Sequence, residues 1–172
     1  LLWFPTGGGK TEAYLAIIAY VLFAECANAD QPGVSVWIRY TLRLLTAQQF
    51  QRLTALVLAA EKVRKENNSE LKWLAQHSKP FSIGLWIGKD ASPNSRRDAI
   101  ALIEGMTADC GSPKQLLSCP CCGRDLSYVV RGMNKPIQPL CMNEECELNG
   151  SLPVFTVDQD IYAVSYTHLT LP

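Results

Sequence analysis

The chain has 172 residues, 48% of them hydrophobic, and a formal net charge of zero. This length supports one ordinary domain with a sizeable core, and the composition excludes an intrinsically disordered chain. No apolar run reaches the roughly 18–20 residues of a membrane helix, so we expect a cytoplasmic protein with no membrane partner. The seven cysteines are an odd number, which argues against a secreted disulfide framework.

Strands and helices are predicted to alternate along the first part of the chain. Apolar residues three and four apart predict helices, and short apolar runs bounded by glycine or proline predict buried strands. In chain order the predicted elements are the end of a strand at Leu1–Phe4, a helix from Lys10, a strand at Val34–Ile38, a helix at about Leu42–Asn67, a strand at Phe81–Ile87 and a helix at about Arg96–Met106. This alternation predicts an α/β fold with a parallel sheet and flanking helices.

The three predicted helices carry finer expectations. The first is apolar nearly all round, so we expect it to pack deeply on the sheet. Thr41 is the expected N-cap of the second helix, whose apolar face includes Phe50, Leu53 and Val57. The turn at Ser92–Ser95 is expected to cap the third helix, because a serine side chain can accept a hydrogen bond from the first helical turn.

A second unit begins where the sequence changes character. From Gly111 to Pro153, prolines, glycines and cysteines dominate and no hydrophobic period holds. We interpret this stretch as a small inserted module. The expected division is residues 1–110 for the first part of the α/β domain, 111–153 for the insertion, 154–163 for the return to the α/β domain, and 164–172 for a tail of different origin.

A glycine-rich run, PTGGGKT at residues 5–11, lies between the first predicted strand and helix. Glycines let backbone N–H groups surround a phosphate, and the helix that follows adds its positive end. Lys10 is expected to reach the β- and γ-phosphates of ATP, and the Thr11 hydroxyl to hold Mg²⁺. The residues predicted to bind this nucleotide are Thr6, Gly7, Gly8, Gly9, Lys10 and Thr11. The structural alternative is a glycine turn that only caps a helix.

This run departs from the general pattern G-x-x-x-x-G-K-[ST], because Phe4 stands where the first glycine belongs. It resembles motif I of superfamily-two helicases, in which that position is small or apolar rather than glycine, although Phe4 is bulky for it. The resemblance implies a partial RecA-like P-loop domain. It also implies catalytic roles for Lys10 and Thr11 in ATP hydrolysis.

A second helicase-like feature follows the strand predicted at Val34–Ile38. Helicases of this class have a strand, then P-T-R-x-L, then a helix, whereas this chain has RYTLRL from residue 39. A helix N-terminus and nearby arginines can bind backbone phosphates without reading bases. Arg39, Thr41 and Arg43 are therefore predicted to contact nucleic acid, with DNA favoured. The alternative for the two arginines is a surface salt bridge.

The cysteines of the insertion predict a metal site. The run CPCCG at residues 119–123 is a knuckle in which Gly123 allows a tight turn, and a second cysteine pair follows. The predicted ligands are Cys119, Cys122, Cys141 and Cys146. Four thiolates suit tetrahedral Zn²⁺ and leave no open position, so this zinc is expected to be structural. Cys121 is an alternative ligand, Cys26 is expected in the apolar core, and Cys110 is left unassigned.

Four stretches together resemble one narrower family. They are LLWFPTGGGKTEAYL, RYTLRLLTAQQFQR, FSIGLWIG and the cysteine module. They are similar to the large helicase subunit of DISARM-type phage-defence systems and its bacterial relatives. The resemblance runs from Leu1 to about Tyr162. It implies ATP-driven action on DNA together with partner proteins of a defence system.

Parts that a complete helicase motor needs are expected to lie outside this sequence. Such a motor requires an Asp-Glu box and an arginine finger from a second RecA-like domain, and no Asp-Glu-x-His or Asp-Glu-x-Asp occurs here. The acidic run Asp158–Asp160 is expected on the surface. The ending VSYTHLTLP resembles translated adapter sequence, so His168 is not expected to be natural, and His77 is expected to be inert. We therefore expect an N-terminal fragment that binds nucleotide weakly and hydrolyses it barely.

Two other functions are left open. A different P-loop enzyme, such as a kinase, would need an acceptor-binding lid, and the sequence shows none. A non-enzymatic zinc-ribbon adaptor with a decayed P-loop would contain zinc but would not bind nucleotide.

Overall fold

The computed structural model describes residues 9–27, 33–39, 43–66 and 80–166. The helices in these residues are α1 (Lys10–Ala27), α2 (Arg43–Lys65), α3 (Arg96–Ile103) and α4 (Asp158–Tyr166). The strands are β1 (Ile83–Gly84), β2 (Ser127–Tyr128), β3 (Pro139–Cys141), β4 (Gly150–Ser151) and β5 (Val154–Phe155). The mixed α/β organisation predicted from the sequence is confirmed.

Helices α1 and α2 pack against each other through a shared apolar cluster. Ile18 and Leu22 of α1 lie with Leu53 and Val57 of α2, and Phe81 joins them just before β1. All five side chains are at least nine-tenths buried, and full burial of such a side chain contributes about 1.5–3 kcal/mol. The predicted second helix is confirmed to within two residues at each end, and its predicted apolar face is the buried one.

Helix α1 is less deeply packed than its apolar sequence predicts. Tyr14, Ile17 and Tyr20 are 47%, 49% and 74% exposed, so the prediction of burial on all sides is wrong. Within the described residues, α1 buries the face that meets α2, and the strand predicted at Leu1–Phe4 lies outside them. No described helix, α1 included, is long and apolar enough to cross a membrane.

Strands β1 and β5 pair in parallel, with Ile83 opposite Val154 and Gly84 opposite Phe155. The pairing extends one residue further, because the Leu85 N–H donates to the Phe155 carbonyl at 2.9 Å. Helix α4 covers this pair closely: a Cβ added at Gly84 would stand 3.1 Å from the Ile161 side chain. The predicted parallel pairing is confirmed, although the regular part of the strand predicted at Phe81–Ile87 is only two residues long.

The strand predicted at Val34–Ile38 is not formed. Residues 33–39 have no regular secondary structure, and Val34, Trp37 and Ile38 are 55%, 68% and 40% exposed. The prediction of a buried strand is therefore wrong. A β-branched run becomes a strand when a neighbour supplies ladder hydrogen bonds and side-chain contacts. Among the described strands, β1 pairs with β5 and leaves this segment without a partner.

The cysteine-rich stretch forms a small antiparallel sheet in the order β2-β3-β4. Leu140 at its centre is opposite Ser127 on one side and Ser151 on the other. The buried Tyr128 hydroxyl donates to the Leu116 carbonyl at 3.0 Å and ties β2 to the segment that enters the module. The sheet is short, so the module has few apolar contacts of its own.

Helix α3 begins as the sequence predicts and ends earlier. The Ser95 side chain accepts a hydrogen bond from the Asp98 N–H, which caps the first turn. The helix ends at Ile103 rather than near Met106, because Gly105 takes a left-handed conformation with φ of 81°. Glycine adopts that conformation without steric cost and commonly stops a helix.

Candidate metal centre and nucleotide cradle

Four cysteine sulfurs come together in the module between β2 and β4. The Sγ atoms of Cys119, Cys122, Cys141 and Cys146 all lie within 4.8 Å of one another. The Cys119–Cys146 and Cys122–Cys141 pairs are each 3.8 Å apart. Tetrahedral zinc with bonds of about 2.3 Å places its sulfurs about 3.8 Å apart. The donor set and its spacing therefore fit one zinc ion.

Backbone N–H groups point at these sulfurs in a repeated way. Each of the four sulfurs faces the N–H group of the residue two positions further along the chain. These N–H groups belong to Cys121, Arg124, Asn143 and Leu148. Gly123 makes the first knuckle possible, since its φ is 71° and its N–H donates to the Cys119 carbonyl at 2.9 Å. Hydrogen bonds to thiolates orient metal ligands and stabilise their charged form.

The electrostatics of the four thiols are divided. Burial raises the pKa of Cys119, and burial raises the pKa of Cys141 to about 12. The Arg124 N–H, aided by the Asn143 side chain, lowers the pKa of Cys122 to about 6. Crowding several thiolates into one apolar place is unfavourable unless a cation neutralises them. A divalent metal supplies that charge, so this group of cysteines has the chemistry of a closed metal centre.

The remaining described cysteines stand apart from this cluster. Cys121 is exposed although it lies between two of the clustered cysteines, and Cys110 is half-buried. Neither sulfur belongs to the group of four. The geometry thus selects Cys122 over Cys121 as the second sulfur of the knuckle. The side chain of Cys26 lies outside the described residues.

The part of the predicted nucleotide cradle that the structure describes is the start of α1. Gly9 has a φ of 76°, and its carbonyl accepts the first helical hydrogen bond, from Ala13. The N–H groups of Lys10 and Thr11 consequently have no acceptor within the helix and lie at its positive end. Among the described residues Lys10 has no acidic partner, whereas Glu12 pairs with Arg52 of α2 at 2.5 Å. An anion can bind at such a helix start.

The other predicted binding residues are not gathered by the described structure. Thr6, Gly7, Gly8 and Thr41 lie outside the described residues, and so does the side chain of Arg43. Arg39 is exposed, and no described acidic residue pairs with it. The surface salt bridge considered for Arg39 is therefore not formed within the described residues.

Two acidic residues that the sequence predicts on the surface are buried. Asp160 is fully buried; it accepts a hydrogen bond from Arg96 and another, at 2.8 Å, from the Ile137 N–H. Asp158 is 7% exposed. The surface prediction is wrong because their partners lie far away in the sequence, and no local pattern marks them. A signal was available only in the position of both acids in the first turn of α4.

Comparison with known proteins relates the chain to one curated protein. It is 37% identical over 183 residues to "DISARM protein DrmA" of Bacillus paralicheniformis, an alignment that covers 94% of this chain. The chain spans 16% of the length of that relative. No family model and no solved structure matches the chain. The DISARM relationship expected from the sequence is therefore confirmed.

Proposed function

We propose that this chain is the ATP-binding, N-terminal part of a helicase or translocase that acts on DNA in phage defence. Its relationship to DISARM protein DrmA supports the defence role and a set of partner proteins from the same system. Its RecA-like character and its motor activity are inferred from the glycine run and the element order. The complete machine would need an Asp-Glu box and an arginine finger in addition.

The observation that carries the proposal is the start of α1. Three glycines lead directly into a helix whose first two residues are Lys10 and Thr11. The left-handed Gly9 lets the loop turn into the helix, and the Lys10 ammonium, which pairs with no described acid, is available for a phosphate. A capping turn alone does not need Lys-Thr at this point, whereas a nucleotide cradle does.

In this proposal each residue of the cradle has one task. Backbone N–H groups from Gly7 to Lys10 hold the phosphate chain of ATP. Lys10 neutralises the charge of the β- and γ-phosphates, and the Thr11 hydroxyl is a ligand of Mg²⁺. The metal would supply charge stabilisation for phosphoryl transfer. Thr6 orients the loop.

The zinc module is proposed to be structural. Four sulfur ligands leave no position for water or substrate, so the metal would fold the module rather than catalyse. Binding of a structural zinc contributes on the order of 10–16 kcal/mol of folding free energy. Arg39, Thr41 and Arg43 are proposed to contact the phosphate backbone of DNA, because arginines and helix starts position a strand by charge.

The experiment is a calorimetric titration of the zinc-loaded protein with ATP and Mg²⁺. Lys10→Ala should abolish binding, because the cradle loses its only charged side chain. Lys135→Ala is the matched control, since Lys135 is an exposed lysine in the cysteine module and should leave the affinity unchanged. Binding that survives in Lys10→Ala would contradict the cradle. Zinc without any nucleotide binding would instead favour the adaptor function.

A further inference from the structure

A cavity of about 620 Å³ opens beside the carboxyl ends of the parallel strands β1 and β5. Ligands of open α/β sheets commonly bind at this edge of the sheet. The residues that line it are Trp86, Gly88, Lys89, Asn94, Ser95, Asp158, Gln159 and Tyr162. Its volume lies within the range of about 300–1,000 Å³ found for small-ligand pockets. None of the functions proposed above uses it.

Exposed aromatic rings form one side of this cavity and continue beyond it. Trp86 packs edge-to-face on Tyr162, with ring centres 5.2 Å apart, and on Trp37, at 5.9 Å. The three residues are 49%, 43% and 68% exposed. Rings of this size are usually buried in a soluble protein, and when they are exposed together they offer a stacking surface. The predicted nucleic-acid residue Arg39 lies two positions after Trp37 in the sequence.

The opposite wall holds a carboxylate oxygen that lacks a hydrogen-bond donor. Asp158 is 7% exposed, and its Oδ1 atom has no hydrogen-bond partner in the described structure. Burial raises the pKa of Asp158, and the Trp86 indole acts against that rise. A buried acceptor that is left unpaired costs about 1–3 kcal/mol. A ligand that brings an N–H group to this carboxylate would recover that free energy.

We propose that this cavity holds one nucleobase of a single-stranded nucleic acid, stacked against Trp86 and Tyr162, with its exocyclic amino group donating to Asp158. The inference rests on the proposed action on DNA and adds a preference for amino-bearing bases. Cytosine presents an amino donor where thymine presents a carbonyl acceptor. A carboxylate accepts from the first and is repelled by the second.

The combination of groups favours a nucleobase over an apolar peptide. A peptide side chain that only fills the aromatic face would leave the carboxylate unpaired. A nucleobase satisfies both walls, because it has a flat face for stacking and donors along its edge. The exposed ammonium of Lys89 at the rim is held by an exposed ion pair with Asp109. Such pairs are weak, so a phosphate of the same strand can take the place of Asp109.

The test compares binding of labelled ten-residue oligo-dC and oligo-dT to the zinc-loaded protein by fluorescence anisotropy. We expect oligo-dC to bind about fivefold more tightly than oligo-dT, since one hydrogen bond separates them. Asp158→Ala should reduce this ratio to one. Trp86→Leu should weaken both oligonucleotides by about tenfold, because it removes a stacking partner. The ratio is the readout, since removal of an acidic charge by itself strengthens binding to any strand.

Matched controls are available on distant surfaces. Glu104→Ala removes an exposed carboxylate at the far end of α3, and Tyr20→Leu removes an exposed ring from α1. Both should keep the dC-to-dT ratio of the unchanged protein. Quenching of tryptophan fluorescence by free cytidine, stronger than by thymidine, gives the same comparison without any variant and so does not depend on how Asp158→Ala folds.

The outcomes separate this inference from the proposed function. Equal affinity for the two oligonucleotides, together with weaker binding in Arg39→Ala, would overturn the base pocket while the proposed action on DNA stands. No binding of either oligonucleotide would overturn both. A cavity that is covered by a protein segment of the assembled defence complex would show neither quenching nor a ratio different from one, and would also overturn the inference.

Discussion

The cysteine module and the α1–α2 pair are held together in different ways. The module has three short strands, and its four buried or half-buried cysteines converge at distances that suit one metal ion. The helical pair relies on an apolar cluster built from residues more than 30 positions apart in the sequence, such as Ile18 and Leu53. One region is organised by a few strong local ligands, and the other by many weak contacts.

This difference explains which region the sequence describes well. Ligand spacing within a knuckle is a local property, so the four cysteines can be chosen from their positions in the sequence alone. Packing of a helix on a sheet is a non-local property that depends on strands elsewhere. The contrast can be tested by removing single contacts from each region and from the joint between them.

Loss of a metal ligand should have the largest effect. Cys119→Ser should release zinc and unfold the module, because zinc is expected to supply on the order of 10 kcal/mol to a region with little apolar core. Metal analysis and circular dichroism measure the two effects. Cys121→Ser is the matched control one knuckle position away and should retain one zinc per chain. Full zinc content in Cys119→Ser would contradict the assigned ligand set.

Removal of the buried acid at the joint should come next. Asp160 connects α4 with the Arg96 side chain and with the Ile137 N–H of the module. Asp160→Ala leaves a nearly buried guanidinium and a buried N–H unpaired, so we expect a loss of about 4 kcal/mol in urea unfolding. Glu104→Ala serves as an exposed control and should stay within error of the unchanged protein. A loss as small as that of the control would show that Asp160 does not hold the joint.

A second buried ion pair, at the end of α2, should show a smaller effect that depends on pH. Glu61 accepts from Arg64 and from the Phe81 N–H, which fixes the entry into β1. Burial acts to raise the pKa of Glu61, but these hydrogen bonds outweigh it and lower the pKa below its ordinary value of 4.5. The stabilisation is therefore complete above pH 4.5 and is lost as the pH falls through the lowered value.

Glu61→Gln should consequently cost about 3 kcal/mol at pH 7, because Arg64 stays buried without its partner. The difference in unfolding free energy between this variant and the unchanged protein should shrink as the pH is lowered below 4.5. Urea titrations at several pH values measure it. A difference that stays constant down to acidic pH would mean that the ionised carboxylate is not the stabilising group.

The smallest effect is expected for the ion pair between α2 and the module. Lys62 and Glu147 are 2.5 Å apart, and their side chains are 43% and 62% exposed. Exposed pairs are screened by water and salt. Lys62→Ala should leave the urea midpoint unchanged within error, in low and in high salt alike. A clear loss that disappears in high salt would show that this pair joins the two regions.

Particular residues show where sequence reasoning stops. Ser95 could be predicted as a cap, because capping depends on the next three residues. Asp160 could not be predicted as buried, since its partners lie 64 and 23 positions away. The run at Val34–Ile38 has the composition of a buried strand but no described strand pairs with it. Composition gives the tendency to form a strand, whereas the fold decides whether a neighbour is present.

The central claim is that the start of α1 binds ATP while the cysteine module only supports the fold. The most direct measurement is a titration of the isotope-labelled, zinc-loaded protein with ATP and Mg²⁺, followed by backbone amide signals in NMR spectra. We predict saturable shifts at Gly9, Lys10 and Thr11 and none at Cys119 or Cys141. Shifts confined to the module, or no shift at Gly9, Lys10 and Thr11, would contradict the account.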